Sequence, residues 1–123
     1  MSRLLIGLVL LALGCSHGPE GPPEGVLEAE AFIDVMTDIQ LLEASSKKRL
    51  RREDDESAIY RGQYTAIFEA HGITEAEFRS SHAWWFAHPE LLIGIYDGVI
   101  EQLNEWERAW TESEGQRPVR DRK

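Results

Sequence analysis

The chain has 123 residues, with 22 Asp and Glu against 13 Lys and Arg, and a formal net charge of −9 at pH 7. An acidic surface repels phosphate backbones, which excludes nucleic acid as an expected partner. The single cysteine excludes an internal disulfide and a thiolate metal cluster.

Arg3 gives a short positive start, and residues 4–13 are then almost wholly apolar. That length suits the core of a signal peptide and is about half of what a membrane-spanning helix needs. The run ends in Leu11-Ala12-Leu13-Gly14-Cys15, with a small residue directly before the lone cysteine. Here the chain resembles a bacterial lipoprotein signal with its lipobox, although Ala12 and Leu13 stand where that motif more often has Leu and then Ala or Ser. The resemblance implies that residues 1–14 are a cleaved signal peptide and that Cys15 becomes the lipidated first residue of the mature chain. Ala12-x-Gly14 is also a small-x-small site for an ordinary signal peptidase, which would leave Cys15 a free thiol. Lipidation removes the liability of such a thiol in an oxidising compartment. Each buried methylene contributes about 0.8 kcal/mol and one acyl chain holds only marginally, so several chains are needed for lasting attachment. Loss of residues 1–14 removes Arg3 and no acid, which moves the net charge from −9 to −10.

From Ser16 to Gly25 the sequence SHGPEGPPEG has no large apolar residue. Residues 15–25 are therefore expected to be the lipidated cysteine and a flexible Pro/Gly tether of about 30 Å at full stretch. Between Val26 and Ser113 apolar residues recur at spacings of three and four, with no strand-like alternation. Residues 26–113 are expected to form an all-α domain, a small bundle of three to four helices, with 114–123 a disordered tail. The spacing predicts helices over 27–51, 55–71, 75–87 and 89–112.

At about 100° per residue the first helix places Phe32, Val35, Met36, Ile39 and Leu42 on one stripe, with Asp34 opposite. Glu43 falls within about 20° of Phe32, among positions that should be buried. A buried carboxylate is costly unless paired, so Glu43 should find Tyr60, Tyr64, a histidine or an arginine such as Arg61. The run Lys47, Lys48, Arg49, Arg51, Arg52 followed by Glu53, Asp54, Asp55, Glu56 suits the dipoles at a helix end and the next helix start. Contact of the basic run with lipid headgroups or an anionic polymer is the alternative.

The second helix carries Tyr60, Tyr64, Ile67 and His71 on one face. In HGITEAEF, Gly72 suits the position past a helix end, Thr74 and Glu77 form a capping box, and Ile73 and Phe78 occupy the staple positions. The third helix aligns His82 with Phe78 and Trp85. Glu43, Tyr60, Tyr64, His71 and His82 make a candidate polar network, which either fixes helix register or lines a binding or catalytic site. Trp84 and Phe86 diverge by about 160°, so Trp84, Trp85 and Phe86 cannot all face one neighbour. They are either buried between two helices or form a candidate partner surface.

Pro89 opens the last helix, which lines up Leu92, Ile95, Val99, Leu103, Trp106 and Trp110 and adds a flanking row of Ile93, Tyr96 and Ile100. An apolar sector that wide suits a helix packed against two others. Gly94 and Gly98 either admit a close backbone or weaken the helix by about 1 kcal/mol each.

The segments FIDVMTDIQLLEA and YTAIFEAHGITEAEFRSSHAWWFAHPELLIGIYDGVIEQLNEW resemble the bacterial lipoprotein family called domain of unknown function 4296, over about residues 28–107. The most specific pieces are the Asp38 and Glu43 spacing, Gly72-Ile73-Thr74 and HPELLIGIYD, whereas Trp84-Trp85 replaces expected tyrosines. The resemblance implies a short helical domain behind a lipoprotein signal and brings no activity, substrate or cofactor.

His82 and His88 are six apart, on different sides of a helix, so no metal site is expected. No catalytic residues and no cofactor are read from the chain, and no oligomeric state is specified. The expected role is a non-catalytic protein-interaction module of the cell envelope, held at the membrane through Cys15, in the outer membrane facing the periplasm, with an envelope protein as partner. A binding protein for a small apolar ligand, with a pocket beside Tyr60, Tyr64 and Trp85, is the alternative. An envelope hydrolase, with a cleft holding Glu43 and His82, is the third reading.

Overall fold

The computed structural model describes residues 21–49 and 56–116, with the side chains of 21–45 and 61–115. Cys15, the expected signal peptide, most of the expected tether, the run from Lys47 to Glu56, the side chain of Tyr60 and the residues beyond 116 lie outside the described side chains. Four helices follow in order, α1 Ala29–Arg49, α2 Glu56–Ala70, α3 Glu75–Phe86 and α4 Pro89–Gln116, with no strand among the described residues. The protein is an all-α bundle.

Local chemistry sets most of the helix ends. The chain before α1 makes a turn in which the Val26 amide donates to the Pro23 carbonyl at 3.1 Å, with Gly25 at φ +85°. Glycine at that third position, with positive φ, is what a type II turn requires. Leu27 then stays out of the helix because its backbone is used elsewhere. Its amide donates to Ser81 Oγ at 2.8 Å, and its carbonyl accepts from Trp85 Nε1 at 3.0 Å. This explains why α1 begins two residues later than the spacing predicts, and why the chain at 23–25 is already ordered.

The junction between α2 and α3 is built from backbone bonds. The Ile73 amide donates to Phe68 O and the Gly72 amide to Glu69 O, with Gly72 at φ +65°, which is the double bond of a Schellman end. Thr74 Oγ1 then accepts from the Glu77 amide at 3.1 Å, while Glu77 Oε2 accepts from the Thr74 amide at 2.8 Å. Ile73 packs into the cluster of Val35, Ile39 and Phe68, and Phe78 stacks on Phe68 at 4.9 Å. One isoleucine thus closes α2 and opens α3.

α1 is the spine. On one side Phe32 and Met36 meet Trp85 of α3 and Ile95 and Val99 of α4; on the other, Val35 and Ile39 meet Phe68 of α2. Leu27 and Phe78 touch both clusters and join them. Burying one such side chain contributes about 1.5–3 kcal/mol, so these few residues carry the fold. Phe68 is absent from the expected stripe of α2 but is 8 % exposed and central to the second cluster.

α4 runs antiparallel to α1, with Gln102 opposite Asp34 and Ile95 opposite Met36. Gln102 Nε2 donates to Asp34 Oδ1 at 2.6 Å, so Asp34 lies in the helix seam and not on an outer face as its wheel position suggests. A Cβ on Gly98 would stand 2.5 Å from Ile33 Cδ1, whereas one on Gly94 would meet nothing within 4 Å. Only Gly98 therefore serves close packing, and it faces α1.

The last helix also exceeds expectation in length. It continues to Gln116, so residues 114–116, read from sequence as tail, are helical. At about 1.5 Å per residue α4 is about 42 Å long against about 32 Å for α1. Every residue from Asn104 to Ser113 is exposed.

Candidate functional site

The polar residues singled out by sequence separate into two pairs and an outlier. Tyr64 Oη donates to Glu43 Oε1 at 2.9 Å, with Glu43 half-buried. His71 Nε2 lies 2.7 Å from Asp38 Oδ2. Both contacts run between α1 and α2, and their order, 38 with 71 and 43 with 64, fits two antiparallel helices. A hydrogen bond of this kind contributes about 0.5–1.5 kcal/mol, and a partly exposed ion pair about 0–1 kcal/mol. The arrangement clips α2 to α1; the pattern of the sequence does not single out Asp38 for this pairing. His82 is elsewhere, stacked on Phe86 at 4.0 Å and tilted against Phe78 at 5.9 Å. The cleft that would join Glu43 to His82 does not form.

The three consecutive aromatics take three environments. Trp85 is 5 % exposed, stacks on Phe32 and donates its indole N–H to Leu27, so it belongs to the core and is removed from the partner surface. Trp84 is half-buried, edge-on to Trp85 at 4.9 Å and stacked on His88 at 4.1 Å, whose Nδ1 donates to the Trp84 carbonyl at 2.6 Å. Phe86 is 41 % exposed and approaches Tyr96 edge-on at 6.4 Å.

Phe86 starts a larger apolar surface that continues along α4 through Ile93, Tyr96 and Ile100 to Trp106 and Trp110, all of them at least 41 % exposed. Sequence patterning identifies these α4 residues as apolar and expects them to be covered. Instead α4 packs on α1 through its Ile95–Val99 line, and among the described residues its flanking row meets only the edge of Phe86 from α3 and stays exposed. Past Leu103 the core-facing line itself is bare, and Trp106 and Trp110 stack on each other at 5.7 Å.

Between α1 and α4 the same surface dips into an apolar groove of about 170 Å³, lined by Met36, Gln40, Phe86, Tyr96, Ile100 and neighbours. It does not lie beside Tyr64 and Trp85, as the sequence suggests, because those two pack into different clusters on opposite sides of α1. Gln40 is its main polar group. Chemically, the groove and row can bury apolar side chains and orient a partner.

No helix among the described residues is long and apolar enough to cross a membrane. The model of the family described as Domain of unknown function (DUF4296) matches residues 23–109, from the turn before α1 to the penultimate part of α4. No curated protein and no solved structure matches the chain. With well over half of the chain inside that match, the chain belongs to the Domain of unknown function (DUF4296) family.

Proposed function

We propose that this protein is a non-catalytic interaction module of the cell envelope, lipid-anchored at Cys15 and presenting α4 to a protein partner. The observation that carries the reading is the uncovered apolar row of α4, in which Ile93 is 64 % and Ile100 55 % exposed. A contiguous apolar surface on a small acidic domain is costly in water, and such surfaces mark interaction sites. Helix clipping accounts for the polar pairs at Glu43 and Asp38. The address is the part read from residues 1–25, with the outer membrane facing the periplasm as the expected place.

Photo-crosslinking in intact cells tests the reading. A photoreactive residue at Ile100 or Trp110 gives discrete protein adducts, and one at the exposed Arg79 on α3 does not. No adduct from either α4 position, or the same adducts from Arg79, sinks it. Cys15→Ser releases the protein from membranes, and normal processing with retained attachment would overturn the anchor.

A second reading is favoured by the groove, whose apolar walls and volume of about 170 Å³ suit a small apolar ligand. It differs in its outcome, since lipid-sized and not protein-sized adducts then come from Ile100.

A further inference from the structure

The open face of α4 carries a charge pattern as well as an apolar one. α4 has seven carboxylates and one cation, Arg108. Glu90, Asp97, Glu101, Glu105, Glu107 and Glu112 are exposed, and none of them forms a salt bridge among the described residues. At about 100° per residue, Asp97 and Glu101 run along the edge beside Ile93 and Ile100. Glu107 falls within the apolar row itself, one turn beyond Leu103.

These features restrict the occupant. The main chain of α4 is satisfied within the helix, so a strand has no edge to join and the contact is made by side chains, as when an amphipathic helix lies in a groove. A second copy would set one carboxylate-rich helix against another, and like charges across an interface oppose association. An anionic lipid surface is repelled for the same reason. From Ile93 to Trp110 the row spans about 26 Å, which is about five helical turns.

We propose that this face docks a cationic amphipathic helix of a partner protein. Its apolar residues, spaced at i, i+3 or i+4, and i+7, cover Tyr96, Ile100 and Trp110 and place one side chain in the groove beside Phe86. Its Lys and Arg residues line the edge of Asp97 and Glu101. The inference rests on the interaction reading above and names the partner's chemistry.

The probe is a synthetic helical peptide of about 18 residues, leucine on one face and lysine on the other, with one photoreactive leucine. The full chain is held in nanodiscs of zwitterionic phosphatidylcholine, and cross-linked positions are mapped by mass spectrometry. The expected result is labelling of α4 and Phe86, about tenfold above that by the same peptide with glutamate for lysine, and falling as salt rises. Asp97→Lys with Glu101→Lys reverses the preference between the two peptides while helicity by circular dichroism is unchanged, because both side chains are exposed. Equal labelling by the two peptides, labelling away from α4 and Phe86, or equal labelling by a lysine peptide with its leucines scattered overturns the inference. So does a chain-to-chain cross-link from Ile100 in place of peptide labelling. If the peptide result fails while protein adducts from Ile100 persist in cells, the interaction reading stands and only the partner's chemistry is wrong. Loss of those adducts sinks both.

Discussion

The two halves of α4 share one apolar line and meet opposite fates. From Leu91 to Leu103 the helix lies on α1, with Ile95 3 % and Val99 6 % exposed. From Asn104 to Ser113 the same kind of apolar spacing continues through Trp106 and Trp110, and every residue is exposed. The second half is the more polar one, and none of the described residues, α1 from Ala29 included, covers its two tryptophans. Apolar side chains contribute to stability only where something covers them, so the first half holds the fold and the second is available to a partner.

Substitutions separate the halves most sharply at their apolar lines. Ile95→Ala is expected to cost about 2–5 kcal/mol, read as a lowered denaturant midpoint, because it empties the packed side of the helix. A loss no larger than that of a surface alanine would erase the contrast. Within the seated half, Gly98→Ala should destabilise by about 1 kcal/mol, the crowding of Ile33 outweighing the gain in helix propensity, whereas Gly94→Ala should stabilise by up to about 1 kcal/mol. Thermal melts of the two variants check this, and a shift of the same sign in both would mean that α1 does not approach Gly98 closely. Tyr64→Phe removes the hydroxyl that meets Glu43 and should cost about 0.5–1.5 kcal/mol by urea unfolding; an unchanged midpoint would show that this bond does not hold α2 to α1. The smallest effect belongs to the bare half. Trp106→Ala and Trp110→Ala should each change stability by less than about 0.5 kcal/mol. Amide hydrogen exchange should be fast from residue 104 onward and slow around Ile95, since few buried contacts hold the end of the helix. Strong protection near Trp110 in the isolated protein would mean that this half is covered after all.

How much of this is legible in the sequence depends on the range of the interaction. The turn at Gly72-Ile73-Thr74 is written in adjacent residues, and its caps and staple form as their spacing dictates. The α1 stripe of Phe32, Val35, Met36 and Ile39 is likewise a property of one helix, and all four are buried. What depends on a second element is not written locally. Periodicity marks Ile93, Tyr96 and Ile100 as apolar but cannot say that no helix arrives to cover them. Asp34 looks solvent-facing on its own wheel until Gln102 crosses from α4 to meet it. The candidate network forms only in part: Tyr64 meets Glu43 as its burial demands, whereas His71 finds Asp38 and His82 lies against Phe86. Among the aromatics, Trp85 is drawn inward by the Leu27 carbonyl, an acceptor 58 positions away in the chain.

The hydrogen bonds at Leu27 also decide how a mechanical load enters the molecule. A pull on the chain before residue 21 first meets the turn closed by the single Val26 to Pro23 bond, which can open and lengthen the leash without disturbing any helix. Beyond it, tension reaches Ser81 and the indole of Trp85, and through them the cluster around Phe32. The bare end of α4 lies off that line of force. In the proposed anchored protein such a tug is borne by the hydrophobic centre, and the exposed face of α4 keeps its shape while the domain is held under strain.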